Sequence, residues 1–178
     1  PFNVVATAKL ELDLIVPILE QIESQVGSDI RPLLRKPLDD ILQELSAVDK
    51  HVRGLALEAL AFKLMRLIDL DYVATRLRGT ATGGAEVDLI FESARLVFFR
   101  WQIQCKNVAG GVSLDDVAKE VGLTHMLKSN VVVIVSTGKI GTQARQYANK
   151  VMQDSNLDVV LIDRGDLETI KDKPSHIV

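Results

Sequence analysis

Gly83-Gly84-Ala85-Glu86-Val87-Asp88 is followed at a short distance by Ile103-Gln104-Cys105-Lys106-Asn107. The glycine pair reads as a turn that feeds a strand and delivers Asp88 at its beginning. In the following strand successive side chains point to opposite faces, which sets Trp101, Ile103 and Cys105 on one side. Arg100, Gln102, Gln104 and Lys106 fall on the other. Polar residues therefore line one face of a strand whose other face is core, and a carboxylate can meet a Gln-x-Lys pair across a hairpin.

This grouping has a chemical use. Hydrolysis of a phosphodiester needs a hard cation to neutralise the phosphate and acidify a water, and a positive group to orient that water or stabilise developing charge. Mg²⁺ takes oxygen ligands from one or two carboxylates, carbonyls and waters. Asp88 offers the carboxylate, Gln104 and a backbone carbonyl near Cys105 offer neutral oxygens, and Lys106 offers the cation.

Outward from this core, the chain alternates helix and strand. A long amphipathic helix is expected over 51–70, with Leu55, Leu57, Leu60, Ala61, Leu64, Leu67 and Ile68 on its apolar face. Strands are expected over 72–76, 87–91, 96–105 and 131–135. Ser113-Leu114-Asp115-Asp116 opens a helix to about residue 128, since Ser113 can cap free amides and the aspartates suit the positive end. After Ser136-Thr137-Gly138 come a helix over 142–153, a strand over 158–162 and a last helix from Gly165 or Asp166. The aliphatic runs at 131–135 and 159–162 fit strands covered on both faces of a mixed sheet. An α/β sandwich follows.

Residues 1–50 read as helical and separate. Apolar residues at 15, 18, 19, 22 and 26 mark one helix interrupted by Pro17 and stopped by Gly27-Ser28-Asp29, and Ile41, Leu42, Leu45 and Val48 mark another. This part holds five Lys and Arg against nine Asp and Glu, whereas the remainder holds 16 against 15. The acidic part suits a contact with protein, and any contact with nucleic acid has to come from local clusters beyond it.

At 178 residues the chain suits one core with an appendage. Aliphatic side chains must build that core, since apolar residues make up 47% and aromatic ones 4%. No apolar run is long enough for a membrane helix, and the first residues lack the pattern of a signal peptide. The single cysteine, Cys105, excludes an internal disulfide, and a cytoplasmic location is expected. Cys105 alternates with Trp101 and Ile103 and reads as a small core residue. His51, His125 and His176 lack ligand spacing, which argues against zinc. Ser136-Thr137-Gly138-Lys139 lacks the glycine of a phosphate loop, because Val133 stands there.

The two motifs and their order resemble the PD-(D/E)xK nuclease superfamily, in its Mrr-like branch, where glutamine replaces the middle acid. In that branch the motif strands follow a helix bearing a glutamate, and Gly54-Leu55-Ala56-Leu57-Glu58-Ala59-Leu60 matches it. The strand at 131–137, the next helix with Ala144, and Val160-Leu161-Ile162-Asp163 with Leu167 resemble the rest. The resemblance covers about residues 51–170. It implies a restriction-endonuclease-like three-layer α/β sandwich with a central mixed β-sheet over 51–178, plus an N-terminal helical extension over 1–50.

It implies further a Mg²⁺-dependent DNA endonuclease of restriction or defence against foreign DNA, with Mn²⁺ able to substitute. Asp88, Gln104 and the Cys105 backbone carbonyl would hold the metal, Lys106 would orient the water, and Glu58 would assist. Arg76, Arg78, Lys139 and Arg145 are the candidate DNA contacts, and a homodimer or larger assembly would serve a cut in both strands. The branch departs from the wider superfamily at Gln104, which lowers the negative charge at the metal unless Glu58 or Glu86 contributes. The competing expectation is a nuclease-like fold with an unused site that binds DNA or protein; an RNA-directed nuclease is a third, disfavoured by the scarcity of aromatics.

Overall fold

The computed structural model describes residues 36–77, 86–93 and 99–172. The helix expected around residues 15–26 lies outside them. The described chain sorts into two compact units, residues 36–69 with 165–172, and Leu70–Arg164.

In the first unit, α1 (Leu38–Glu44) follows Pro37 and buries Leu38, Ile41 and Leu42. Its ends are tied by an ion pair from Lys36 Nζ to Glu44 Oε2 at 2.6 Å. Expected to continue to Val48, the helix stops at Glu44, and Val48 is 98% exposed. The spacing that suggested a longer helix was coincidental. The second helix, α2 (Lys50–Leu67), begins where Asp49 accepts the His51 amide at 2.7 Å, a side-chain cap. From Ala56 to Met65 every residue but Glu58 is buried, so this helix is enclosed on nearly all sides where a single apolar face was expected. Helix α5 (Arg164–Asp172) buries Leu167.

The second unit is built on a sheet of five strands in the order β1 (Asp71–Leu77), β2 (Val87–Ser93), β3 (Phe99–Lys106), β4 (Val131–Ser136) and β5 (Asp158–Ile162). The first three run antiparallel, and β3, β4 and β5 run parallel. Parallel neighbours need crossovers, which α3 (Leu114–Leu127) and α4 (Thr142–Asp154) supply. The expected mixed α/β sheet is therefore observed.

Helix α3 starts as its sequence requires. Ser113 Oγ accepts the Asp116 amide, and Asp116 Oδ2 accepts the Ser113 amide at 2.9 Å, a reciprocal box that satisfies two otherwise orphaned donors. It ends at Lys128 in the left-handed region, φ 54°.

Every residue of β4 is buried, as its aliphatic run predicts. In β5 the expectation fails, because Val160 is 39% exposed and the strand closes the sheet on that side of the described chain. Edge position, invisible in a run of aliphatics, accounts for the difference. Val132, Ile134 and Val159 pack with Val117 of α3 and Ala144 and Ala148 of α4. Since Gln104 is paired in register with Ile134, the polar face of β3 continues the sheet face that these two helices share. Among the described residues no helix is long and apolar enough to cross a membrane.

Candidate active site

Antiparallel pairing of β2 with β3 runs through Leu89 and Ile103. One further step sets Asp88 opposite Gln104, and directly opposed residues project to the same face. The contact is made: Gln104 Nε2 donates to Asp88 Oδ2 at 2.7 Å, and the Cys105 amide donates to the same oxygen at 2.6 Å. Asp88 is only 7% exposed, so its charge depends on such donors.

This pairing decides how the Gln104 amide faces. Oxygen and nitrogen of an amide are assigned by their partners. A carboxylate oxygen needs a donor, so Nε2 turns to Asp88 and Oε1 turns away. There Oε1 is buried with no hydrogen-bond partner. An unmatched buried acceptor costs about 1–3 kcal/mol. A hard cation prefers carboxylate and neutral oxygens, so one bound at Asp88 would use Oε1 by turning the amide toward the carboxylate. Among the described residues no group of three or more His, Cys, Asp or Glu is disposed to hold a metal. One carboxylate with amide and carbonyl oxygens is a donor set that fits a hard cation such as Mg²⁺.

Lys106 lies on the same face, two residues and roughly 6–7 Å further along the strand. Its Nζ donates to Asp116 Oδ1 at 3.2 Å. The other Asp116 oxygen is held by Ser113, whose hydroxyl donates at 2.8 Å. The Ser113 amide bond first, then the Ser113 hydroxyl and Lys106, hold the Asp116 carboxyl below its ordinary pKa despite partial burial. One turn on, Glu120 is fully buried and shifted the other way: burial pushes its carboxyl up, against the pull of Lys106, Lys119 and the Gln102 hydrogen bond. Gln102 Nε2 donates to both the Glu120 carbonyl, at 2.9 Å, and Glu120 Oε2, at 3.2 Å.

Beyond Lys106 the chain is pinned to the turn after β4. The Thr137 amide donates to the Lys106 carbonyl at 3.1 Å, and Thr137 Oγ1 accepts the Val108 amide at 3.1 Å. A side chain at Gly138 would collide with the Gly110 carbonyl oxygen. The C-terminal end of β3 is thereby fixed by contacts distant in sequence.

The structure thus gathers Asp88, Gln104, Cys105 and Lys106 at one place. Glu58 lies on α2 in the other unit, half-buried, and Glu86 is half-buried just before β2. Lys139 is exposed in the turn after β4, whereas Arg145 is engaged by Asp163 at 2.7 Å. Arg76 lies on β1, and Arg78 and His176 are outside the described residues. Glu120 has no part in the sequence reading, while Asp116 reads there only as part of a helix start and Gln102 only as one of the polar residues of a strand. A signal existed: Glu120 occupies a position of the α3 stripe otherwise buried through Val117, Leu123 and Leu127. An acid in such a stripe calls for a partner on the sheet.

A family model with the description Mrr_cat, restriction endonuclease, matches residues 50–170. Among solved structures, the chain is similar to the DNA modification-dependent restriction endonuclease AspBHI, with 16% identity and a TM-score of 0.51 over 85% of this chain and 38% of that one. It is also similar to the MspJI restriction endonuclease in complex with a 27-mer oligonucleotide, with 20% identity and a TM-score of 0.48 over 86% of this chain and 35% of that one. At such identity the first likeness speaks for the fold. The chain spans less than two fifths of either protein. No curated protein matches it.

Proposed function

The chain belongs to the restriction-endonuclease family of the Mrr catalytic domain, and on that premise we propose that it is a divalent-metal-dependent DNA endonuclease that hydrolyses phosphodiester bonds in the restriction of foreign DNA. One observation carries the reading. Asp88 is in direct contact with the Gln104 amide, whose Oε1 is buried without a partner, so a turn of that amide would set a carboxylate and a neutral oxygen side by side.

Asp88, Gln104 Oε1 and the Cys105 carbonyl would hold the cation. When bound, Mg²⁺ or Mn²⁺ would neutralise the phosphate and make water a better nucleophile. Asp88 keeps its orientation through the Cys105 amide, which belongs to the same strand as Lys106, so ligand and cation are set on one rigid element. Lys106, its side chain 17% exposed, presents a positive charge that can orient the attacking water or stabilise charge on the phosphate oxygens. An assisting role for Glu58 is what the family resemblance implies. Lys139, Arg76 and Arg78 would contact the DNA backbone, and Arg145 would do so only by leaving Asp163. A cut in both strands calls for two such sites, hence a homodimer or larger assembly.

Supercoiled plasmid, both methylated and unmethylated, tests the reading. With Mg²⁺ or Mn²⁺ the chain is expected to nick or linearise it, and excess chelator is expected to stop the reaction. Binding to the same DNA without any cut under all these conditions would support instead a nuclease-like fold used for binding alone.

A further inference from the structure

The ion pair at the end of β3 points to a residue that controls Lys106. Asp116 sits at the third position of α3, where its carboxylate is divided between two tasks. One oxygen is taken by the Ser113 amide and hydroxyl, which fixes the rotation of the side chain. The other is thereby aimed at Lys106 Nζ. A flexible lysine stem loses its freedom only if its head has a fixed partner.

The partner is fixed in a second way. Gln102, completely buried on the same strand face as Lys106, donates to the backbone and side chain of Glu120, one turn beyond Asp116 on the same side of α3. This sets both the position and the rotation of α3 against β3. Ser113 thus sets the carboxylate on its helix, and Gln102 sets the helix on the strand that carries Lys106. Asp115, the neighbour of Asp116 in the first turn, is exposed and has no such place.

We propose that Asp116 is the positioning residue of Lys106, holding its ammonium group on the sheet face that carries Asp88 and Gln104. The role in catalysis rests on the function proposed above, whereas the pairing itself can be read in protein that never meets DNA.

Two measurements on the full chain separate these. Trace acetylation, read lysine by lysine by mass spectrometry, is expected to find Lys106 protected relative to exposed Lys139 and Lys128. Asp116→Asn, which keeps shape and an acceptor for Ser113 but removes the charge, is expected to raise Lys106 labelling several-fold and leave Lys128 unchanged. Asp115→Asn removes a charge from the same helical turn and is expected to change neither, and Asp116→Glu is expected to restore part of the protection. Unchanged Lys106 labelling in Asp116→Asn overturns the proposal.

Single-turnover cleavage is the second reading. Asp116→Asn is expected to slow it about tenfold with DNA affinity unchanged, because misplacing a reacting group costs rate and not binding. Full-rate cleavage by that variant would overturn the positioning role. A wild type that shows the labelling pattern but no cleavage leaves the pairing established and removes the nuclease reading.

Discussion

At Gln104 one side chain does two things, and the two can be separated. Its amide nitrogen satisfies Asp88, while its oxygen remains unmatched. Gln104→Glu would set a second carboxylate against Asp88 in a buried place, where like charges resist joint ionisation. The variant is expected to lose about 1–3 kcal/mol of stability in chelator, and to regain more than wild type on addition of Mn²⁺, because a cation bound only by the folded state stabilises it. Melting curves in both conditions check this; equal behaviour of the two proteins would count against a cation at Gln104. Asp116 and Glu120 give opposite pH signatures. The lowered Asp116 carboxyl contributes stability above the ordinary aspartate range and loses it as pH falls through the lowered value. The raised Glu120 carboxyl binds its proton more tightly when folded, so stability declines as pH rises from the ordinary glutamate range through the raised value. Glu120→Gln is therefore expected to gain on wild type in urea denaturation as pH rises above the ordinary glutamate range. Strand alternation made Asp88, Gln104 and Lys106 legible in the sequence. The Lys106–Asp116 pair was not, because Asp116 already had a sufficient local reason to be there, at a helix start.

The elements were legible to the extent that their signals are local. Helix α3 runs between its Ser113 cap and Lys128 as expected, and β5 has the expected bounds, since caps and aliphatic runs are written in neighbouring residues. Exposure of Val160 and the enclosure of α2 depend on which elements lie alongside, and a single period does not record that. The docking of the turn after β3 onto the turn after β4 is a similar case. Gly138 reads in the sequence as a loop glycine, yet the position tolerates no Cβ, because the Gly110 and Val108 carbonyls and the Val108 side chain crowd it. Gly138→Ala is expected to destabilise the fold by about 1–3 kcal/mol, as overpacking does. It is also expected to lower cleavage beyond that effect, because the displaced segment continues β3 past Lys106. A variant with wild-type melting and cleavage would show that the two turns are not tightly coupled.

For the whole molecule, the proposed cut in both strands makes a joint statement about assembly and product. A dimer in sedimentation equilibrium should accompany direct linearisation of plasmid, and a monomer should give nicked circles first. The acidic residues 1–50, of which only the last part is described, are the proposed contact. The central claim, that Asp88, Gln104 and Lys106 form a metal-dependent site for DNA hydrolysis, meets its most direct test in one plasmid assay. Wild type, Asp88→Ala and Lys106→Ala are incubated with supercoiled DNA over a range of Mg²⁺ and Mn²⁺. Cation-dependent cutting by the wild type and a loss of about 100-fold or more in both variants are expected. Cutting by either variant at the wild-type rate, or none by the wild type at any cation concentration, would contradict the claim.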